Sequence, residues 1–300
     1  MSAPGAAPPA HPLLAKRGNL RRRRRVNLLV EAFSTVAALL AVAVLLIVVG
    51  SVFLKGVGAI NLDFLTNSTA LFGVSGGGIA NAIVGTGIMV GLAALMAVPV
   101  GLLVAIYTSE FANGRVAHAI RFALDVLNGV PTILTGVFVY GLIVVGQGHQ
   151  SGTAGAVALG IIMLPIVART AQEVLALVPG TLKEAAYALG VTRWRTVLRV
   201  TLPTAAGGLL TGSLLGVARV AGETAPLILV CSIFLPGTVS TDPSQGLASI
   251  PVFIFQASES PSPESHTQAW AAALVLIAFV LVLNIIARAF YARSRKRLEG

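Results

Sequence analysis

The chain has 300 residues, of which 56% are hydrophobic and only 11% are charged, with a formal net charge of +10. Soluble domains carry about a quarter charged residues, so this composition excludes an ordinary water-soluble protein. The basic balance and the arginine run at 21–25 could indicate nucleic-acid binding. The basic residues instead follow loop position, as membrane topology requires, so no nucleic-acid partner is expected.

Six apolar stretches are long enough to cross the roughly 30 Å of hydrocarbon in a bilayer. Their glycines and scattered prolines are typical of packed membrane helices. The sequence therefore predicts an all-α, multi-pass protein of the plasma membrane with six transmembrane helices. In chain order the predicted spans are 32–54, 79–107, 120–146, 153–171, 205–235 and 269–287.

Loop charge predicts the orientation of these spans. Lysine and arginine cluster before the first span, between spans two and three, between spans four and five, and after the last, whereas the opposite side holds only Lys55. Because cytoplasmic loops carry the basic excess, both termini are expected in the cytoplasm. We expect a disordered basic tail at 1–25, a first helix and external segment at 26–76, and a second basic tail at 291–300.

Several chemistries have no matching motif in the sequence. No lysine follows a glycine, so a G-x-x-x-x-G-K-[ST] phosphate loop cannot occur, and any ATP must be bound by another polypeptide. The four histidines are scattered without metal-ligand spacing. No G-x-S-x-G elbow is present. We therefore expect no cofactor or metal in this chain and no enzymatic activity of its own.

The longest predicted cytoplasmic loop, 172–204, reads as two short helices with breaks. Pro179 ends the first helix, because its ring and missing N–H interrupt the helical hydrogen bonds. Thr181 and Glu184 have the spacing of a capping box at the start of the second. Gly190 then permits a sharp turn.

Within this loop, "EAAYALG" is followed by nine residues and "VTLP". This pattern resembles the EAA loop of ABC-importer permeases, with Val200 in place of the usual isoleucine. The resemblance implies that Glu184, Ala185, Ala186 and Gly190 form an element that docks into a groove on an ATPase subunit. The alternative is an ordinary amphipathic connector.

Two charged residues, Arg219 and Glu223, fall inside the predicted fifth span. A charge at mid-bilayer costs at least about 2.5–3.5 kcal/mol, and such residues usually line a pathway or pair with each other. Arginine before glutamate is the less favourable i,i+4 order within a helix, which favours partners outside it over a structural ion pair. Pro226 frees a backbone carbonyl nearby, as suits a segment that lines a cavity.

These residue types favour an anionic cargo. The planar guanidinium of Arg219 matches the oxygens of phosphate or sulfate. The carboxylate of Glu223 would repel a fully ionised anion, but it could accept a hydrogen bond from a protonated oxyanion. Phosphate keeps a hydroxyl group at neutral pH whereas sulfate does not, so the pair favours phosphate without deciding for it.

Four segments of the chain together carry a second, more specific resemblance. They are "GGGIANAIVGT" at 76–86, "LNGVPTILTGVFVY" at 127–140, "LPIVARTAQEVLALVP" at 164–179 and "RVAGETAPL" at 219–227. These segments resemble the PstA-type permease subunit of phosphate-specific ABC importers, with Val220 in place of the common alanine. The resemblance covers about positions 56 to 290 and implies a type I ABC-importer permease fold, with the permease domain at 77–290.

By the same resemblance, Arg219 and Glu223 would line the phosphate path, with Arg169 and Thr224 as further candidates. Arg169 fits equally well as an arginine at a span end that bridges to Glu173 four residues on. The hydroxyl of Thr224 could instead bond a carbonyl of its own helix. Asp125 and Asn128 are expected to be satisfied by neighbouring backbone.

The resemblance also implies the partners. These are a second homologous permease subunit, two ATPase subunits that bind ATP and Mg²⁺, and an external phosphate-binding protein. This chain would form half of the pore through which inorganic phosphate enters the cytoplasm. The alternatives are a permease for phosphonate, sulfate or molybdate, or a membrane scaffold or sensor that moves nothing.

Overall fold

The computed structural model describes residues 20–69, 76–231 and 239–299. The chain divides into two compact units, Met1–Ser51 and Val52–Gly300. The described part of the first unit is one helix, α1, which runs over Leu20–Gly56 into the second. Helix α1 already includes the five arginines that we assigned to a disordered tail, since arginine is a good helix former. Residues 1–19 of that predicted tail lie outside the described residues.

The described residues of the second unit are almost entirely helical. A short helix, α2, spans Leu62–Thr66 in the segment predicted to be external. The following helices are α3 (Ala80–Ile106), α4 (Gly114–Gly129), α5 (Thr132–Val139), α6 (Val145–Gln147), α7 (Gly152–Ala176), α8 (Gly180–Ala188), α9 (Arg193–Thr196), α10 (Leu202–Ala221), α11 (Ala225–Val230), α12 (Ile250–Glu259) and α13 (Pro263–Glu299).

Three π-helical segments make some of these helices continuous. Tyr107–Phe111 extends α3, Tyr140–Val144 joins α5 to α6, and Val197–Thr201 joins α9 to α10. The helix that contains α10 therefore begins at Arg193, ten residues before Pro203. Helix α13 continues to Glu299, so most of the predicted basic tail at 291–300 extends this helix.

Among the described residues, five helices are long and apolar enough to cross a membrane, and there are six spans if a bent pair of helices is counted as one. This confirms the predicted all-α membrane class, and with the bent pair counted the number of spans agrees with the prediction. The five helices are Arg22–Ala59, Ala80–Phe111, Gly152–Ala176, Arg193–Ala221 and Pro263–Ile286, and the bent pair is Gly114–Gly129 with Thr132–Gln147.

The third span is not the single helix predicted at 120–146. It turns by 95° between α4 and α5. Val130 is extended (φ −70°, ψ 127°) because the ring of the following Pro131 disfavours a helical conformation there. Pro131 then precedes the first turn of α5, where its missing N–H leaves no hydrogen bond unmade.

The fifth span, predicted at 205–235, is broken in the same way. Helix α10 ends at Ala221, and α11 begins at Ala225. Pro226 has no N–H to offer the carbonyl of Gly222 four residues earlier, and its ring would clash with that carbonyl in a continuous helix. The two charged residues of this span therefore lie at a helix end and not within an unbroken helix.

The core is built around α7. Helices α3 and α7 form the most extensive helix pair, and α10, α4, α5 and α11 also pack on α7. Small buried residues on both main helices, such as Ala93 and Ala158, let the backbones approach closely. At Gly136 of α5 an added Cβ would lie only 2.7 Å from the Cα of Pro226 in α11. The absence of a side chain at Gly136 therefore lets α5 and α11 pack closely.

The loop between α7 and α10 contains the predicted second short helix, α8. Gly190, just past its end, has φ +76°, which confirms the predicted turn at a position that favours glycine. The predicted capping box is wrong, because Pro179 is the N-cap residue and no side chain caps this helix. Thr181 already lies within the helix, so its hydroxyl cannot act from the N-cap position.

Candidate functional site

A cavity of about 310 Å³ lies where the two broken spans meet α7. Its walls come from the end of α4, the bend, the start of α5, the middle of α7 and the last turn of α10. The lining side chains are Leu127, Asn128, Val130, Pro131, Thr132, Thr135, Ile161, Ile162, Ile166 and Arg219. A cavity needs only about 10–15 Å³ of such volume to hold one water molecule. This cavity is many times larger, so it has room for a hydrated oxyanion.

Arg219 is the cationic residue of this cavity lining. Its side chain is 60% exposed, whereas that of Glu223 is 14% exposed. Arg219 Nη2 lies 3.6 Å from Glu223 Oε1, which is an ion pair but too long for a strong hydrogen bond. The guanidinium has five N–H donors, so this single loose contact leaves donors for an anion.

The partner of Arg219 differs from our expectation. We predicted partners outside the helix, because arginine before glutamate is unfavourable within one. Glu223 lies beyond Ala221, the last residue of α10, so the rule for a continuous helix does not apply to the pair. The carboxylate reaches back toward the end of the helix, where a cation is stabilised by the unpaired carbonyl groups.

Thr224 is half-buried and precedes α11. Its carbonyl accepts hydrogen bonds from the N–H groups of Leu227 and Ile228 at 3.1 Å. Its side chain does not cap α11. Neither Thr224 nor Glu223 is among the residues that line the cavity. Glu223 reaches the cavity through Arg219, whereas a role for Thr224 in the pathway stays a prediction.

Arg169 pairs with a different helix from the one predicted. Its Nε lies 3.0 Å from Asp125 Oδ1 of α4, and its Nη1 donates to Gln172 Oε1 at 3.4 Å. The predicted bridge to Glu173 is therefore wrong, as is the expectation that backbone satisfies Asp125. A partner on a neighbouring helix can satisfy the guanidinium with better geometry than the next turn of the same helix.

This ion pair borders the cavity. Asp125 is one turn before Asn128 on α4, and Arg169 is one turn after Ile166 on α7. Residues three apart share a helix face. On each helix the residue of the ion pair is therefore one turn away from a residue that lines the cavity. Both side chains are more than a third exposed, so the pair contributes at most about 1 kcal/mol to stability.

Three neutral polar residues of the cavity are absent from the predicted site: Asn128, Thr132 and Thr135. Asn128 was expected to be satisfied by backbone, yet it is exposed and lines the cavity. The third span was predicted to be continuous over 120–146, and nothing in the sequence indicated that the chain would bend before Pro131 and turn α5 toward Arg219. Their contribution could be found only from the three-dimensional arrangement.

A series of polar contacts leads from the Asp125–Arg169 pair toward α8. Gln172, which Arg169 contacts, donates through Nε2 to Thr108 Oγ1 at 2.7 Å. Two residues beyond Thr108, the carboxylate of Glu110 pairs with Lys183 Nζ of α8 at 2.5 Å. Glu110 is only 5% exposed, so the π-helical end of α3 holds α8 through a buried carboxylate.

Helix α8 presents an uncovered face that carries most of the predicted docking residues. Glu184, Ala185 and Gly190 are exposed, but Ala186 is buried within the chain and is not available to a partner. Leu182 and Leu189 are also exposed, Leu189 at 84%. Leu182, Ala185 and Leu189 follow helical spacing, so α8 and the turn after it offer a small apolar surface beside an acidic group.

The chain is similar to known transport proteins over most of its length. Residues 97–299 match the family described as "Binding-protein-dependent transport system inner membrane component". A phosphate transport system permease protein PstA from Yersinia pestis is 38% identical over 274 residues, covering 91% of this chain and 92% of that protein. A PstA from Mycobacterium leprae is 35% identical and covers 93% of both chains.

Solved structures share the fold at low sequence identity. A bacterial alginate ABC transporter, in complex with an alginate pentasaccharide-bound periplasmic protein, matches with a TM-score of 0.62 and 15% identity over 92% of this chain and 98% of that one. The MetNI methionine ABC transporter in an inward-facing conformation matches with a TM-score of 0.56 and 19% identity, over 71% of this chain and 92% of that one. The likeness to the PstA proteins is far closer, and this chain belongs to the PstA family of binding-protein-dependent inner-membrane permeases.

Proposed function

We propose that this chain is a transmembrane subunit of an ATP-driven importer that moves inorganic phosphate into the cytoplasm. The observation that carries the proposal is Arg219, a loosely paired guanidinium at a helix break, which lines a cavity large enough for a hydrated oxyanion. The similarity to PstA proteins over about nine-tenths of the chain supports phosphate as the cargo.

Arg219 and Glu223 act on phosphate in different ways. Arg219 attracts the anion and donates hydrogen bonds to its oxygens. Glu223 competes for the same guanidinium, so the anion is held weakly enough to be released. Arg169 is paired with Asp125 one turn further on and is the next cation along α7 for an anion leaving the cavity. Thr224, beside Glu223, is a further candidate for a pathway residue.

ATP hydrolysis belongs to partner subunits in this proposal. The exposed residues Glu184, Ala185 and Gly190 dock on an ATPase subunit, and buried Ala186 lets α8 pack against the permease. Two such ATPase subunits bind ATP and Mg²⁺, a second homologous permease completes the pore, and an external binding protein delivers phosphate. The side of the membrane that carries α8 and both termini is then the cytoplasm.

The contacts from α8 to the cavity suggest how the subunits are coupled. Movement of α8 pulls on Glu110 through Lys183, and the end of α3 is joined to Gln172 and Arg169 by hydrogen bonds. Closure of the ATPase pair would therefore shift α3, α7 and α4 together. Because α4 and α7 form part of the cavity wall, the shift changes access to Arg219.

Uptake of labelled phosphate by cells that lack only this subunit tests the proposal. Restoring the wild-type chain should restore uptake, and Arg219→Ala should not, although the complex assembles. An exposed arginine on α4, changed in Arg121→Ala, serves as the matched control and should retain uptake. Normal uptake by the Arg219→Ala variant would remove the assigned role of the guanidinium.

Competition distinguishes phosphate from other oxyanions. Excess unlabelled phosphate should suppress uptake, whereas sulfate, molybdate and phosphonate should not. Suppression by one of these anions at lower concentration than phosphate would identify a different cargo. Uptake that is unchanged when the subunit is absent would favour a scaffold or sensor, which the docking surface on α8 argues against.

A further inference from the structure

Thr135 contributes a hydroxyl group to the lining of the Arg219 cavity. Thr135 is 8% exposed and is one of the residues that line the cavity. A hydroxyl without a partner in the protein must bond to water or to a ligand if it is to recover the hydrogen bonds that it makes in water. Within the part of the chain that the structure describes, this hydroxyl makes no hydrogen bond. Because Thr135 lines the cavity, the hydroxyl can bond to a molecule held there.

Other helical threonines of the chain behave differently. A threonine in a helix commonly donates to the carbonyl three or four residues before it. Thr170 on α7 donates to Ile166 O at 2.9 Å, and Thr211 on α10 donates to Gly207 O at 2.8 Å. Within the described residues, the hydroxyl of Thr135 donates to neither of the corresponding carbonyls, those of Pro131 and Thr132. This hydroxyl therefore remains available to a ligand in the cavity.

We infer that Thr135 is a specificity-determining residue that contacts the transported oxyanion, an inference that rests on the proposed function. A hydroxyl can donate a hydrogen bond to one anion oxygen and accept a hydrogen bond from a P–OH group, whereas a guanidinium can only donate. Thr132, one turn earlier on the same face of α5, and Asn128 across the bend line the same cavity. Arg219 supplies the positive charge, and these neutral groups distinguish an anion that carries a hydroxyl group from one that does not.

The experiment measures phosphate uptake by the complete transporter in proteoliposomes, with saturating binding protein. Thr135→Val keeps the shape of the side chain and removes the hydroxyl. A hydrogen bond to a charged group is worth about 1.5–3 kcal/mol, so we expect uptake to fall on the order of tenfold to a hundredfold. Thr135→Ser keeps the hydroxyl and should retain uptake.

Thr211→Val is the matched control, because the hydroxyl of Thr211 is satisfied within its own helix and lies outside the cavity lining. It should transport as the wild type does. Equal uptake by Thr135→Val and wild type would overturn the inference and leave the proposed function intact. Absence of phosphate uptake by the wild-type complex would instead overturn the proposed function.

A second measurement applies if Thr135→Val does not assemble. Cys231 is the single cysteine of the sequence, so Thr135→Cys in a Cys231→Ala background places a unique thiol in the cavity. Inorganic phosphate should slow its reaction with a small water-soluble thiol reagent, and sulfate should slow it less. A rate unaffected by phosphate would overturn the inference.

Discussion

Removing Lys183 tests whether α8 is held by the buried carboxylate of Glu110. At 2.5 Å the attraction is about 7 kcal/mol for an effective dielectric constant near 20, before desolvation. Removing one partner of a buried pair costs about 3–5 kcal/mol. Lys183 retains some exposure, so we expect Lys183→Met to destabilise the contact between α8 and α3 by about 2–3 kcal/mol.

The assay is a double-mutant cycle on the purified transporter. Thermal midpoints and the ATP hydrolysed per phosphate imported are measured for Lys183→Met, for Glu110→Gln and for both changes together. The lysine variant should hydrolyse more ATP per phosphate, because α8 is no longer fixed to α3. The double variant should recover much of the stability, since a neutral amide in place of the Glu110 carboxylate leaves no unpaired buried charge.

Additive effects would contradict this reasoning. Two independent sites add within about 0.5 kcal/mol, so an interaction energy below that value would show that the pair does not couple. An unchanged ATP-to-phosphate ratio in both single variants would show that the pair does not transmit movement from α8. Lys55→Met provides a lysine control outside this contact, because Lys55 lies over the ring of Trp270.

Two further predictions concern packing and docking. Gly136→Leu should destabilise the complex by about 1–3 kcal/mol and lower its thermal midpoint, since a Cβ at Gly136 meets the backbone of Pro226. Gly141→Leu has open space at its Cβ and should have little effect; equal midpoints for the two variants would contradict the packing. Leu189→Asp should reduce co-purification of the ATPase subunits, whereas Leu62→Asp, also strongly exposed but on α2, should not. Full ATPase recovery with Leu189→Asp would place the docking surface elsewhere.

Local signals in the sequence were sufficient to predict the number of spans and the short helix α8. Apolar runs follow directly from the cost of exposing polar groups to lipid, so their number could be read without a structure. Gly190 was identified as a turn because it follows the helical segment "EAAYAL" and because glycine readily adopts a positive φ. The N-terminus of the same helix was assigned wrongly, because Pro179 occupies the position that a capping threonine would need.

The arrangement of the site required the tertiary structure. Pro131 and Pro226 were placed inside continuous predicted spans, because an average of hydrophobicity shows neither that a chain bends at a proline nor in which direction it turns. Arg169 had an acceptable local partner in Glu173, so nothing in the sequence favoured Asp125, 44 positions earlier on another helix. The sequence does not distinguish Thr135 from any other helical threonine, and the structure alone shows that it lines the cavity.

The central claim is that Arg219 faces a water-filled path used by the anion. In a Cys231→Ala background, Asn128→Cys places a thiol in the same cavity, and Val220→Cys places one beside Arg219 but in the buried core. Reaction with a water-soluble thiol reagent is followed on the assembled transporter with and without phosphate. We predict that the thiol at 128 reacts and is protected by phosphate, while the thiol at 220 remains unreactive. A thiol at 128 that does not react, or that phosphate does not protect, would contradict the account.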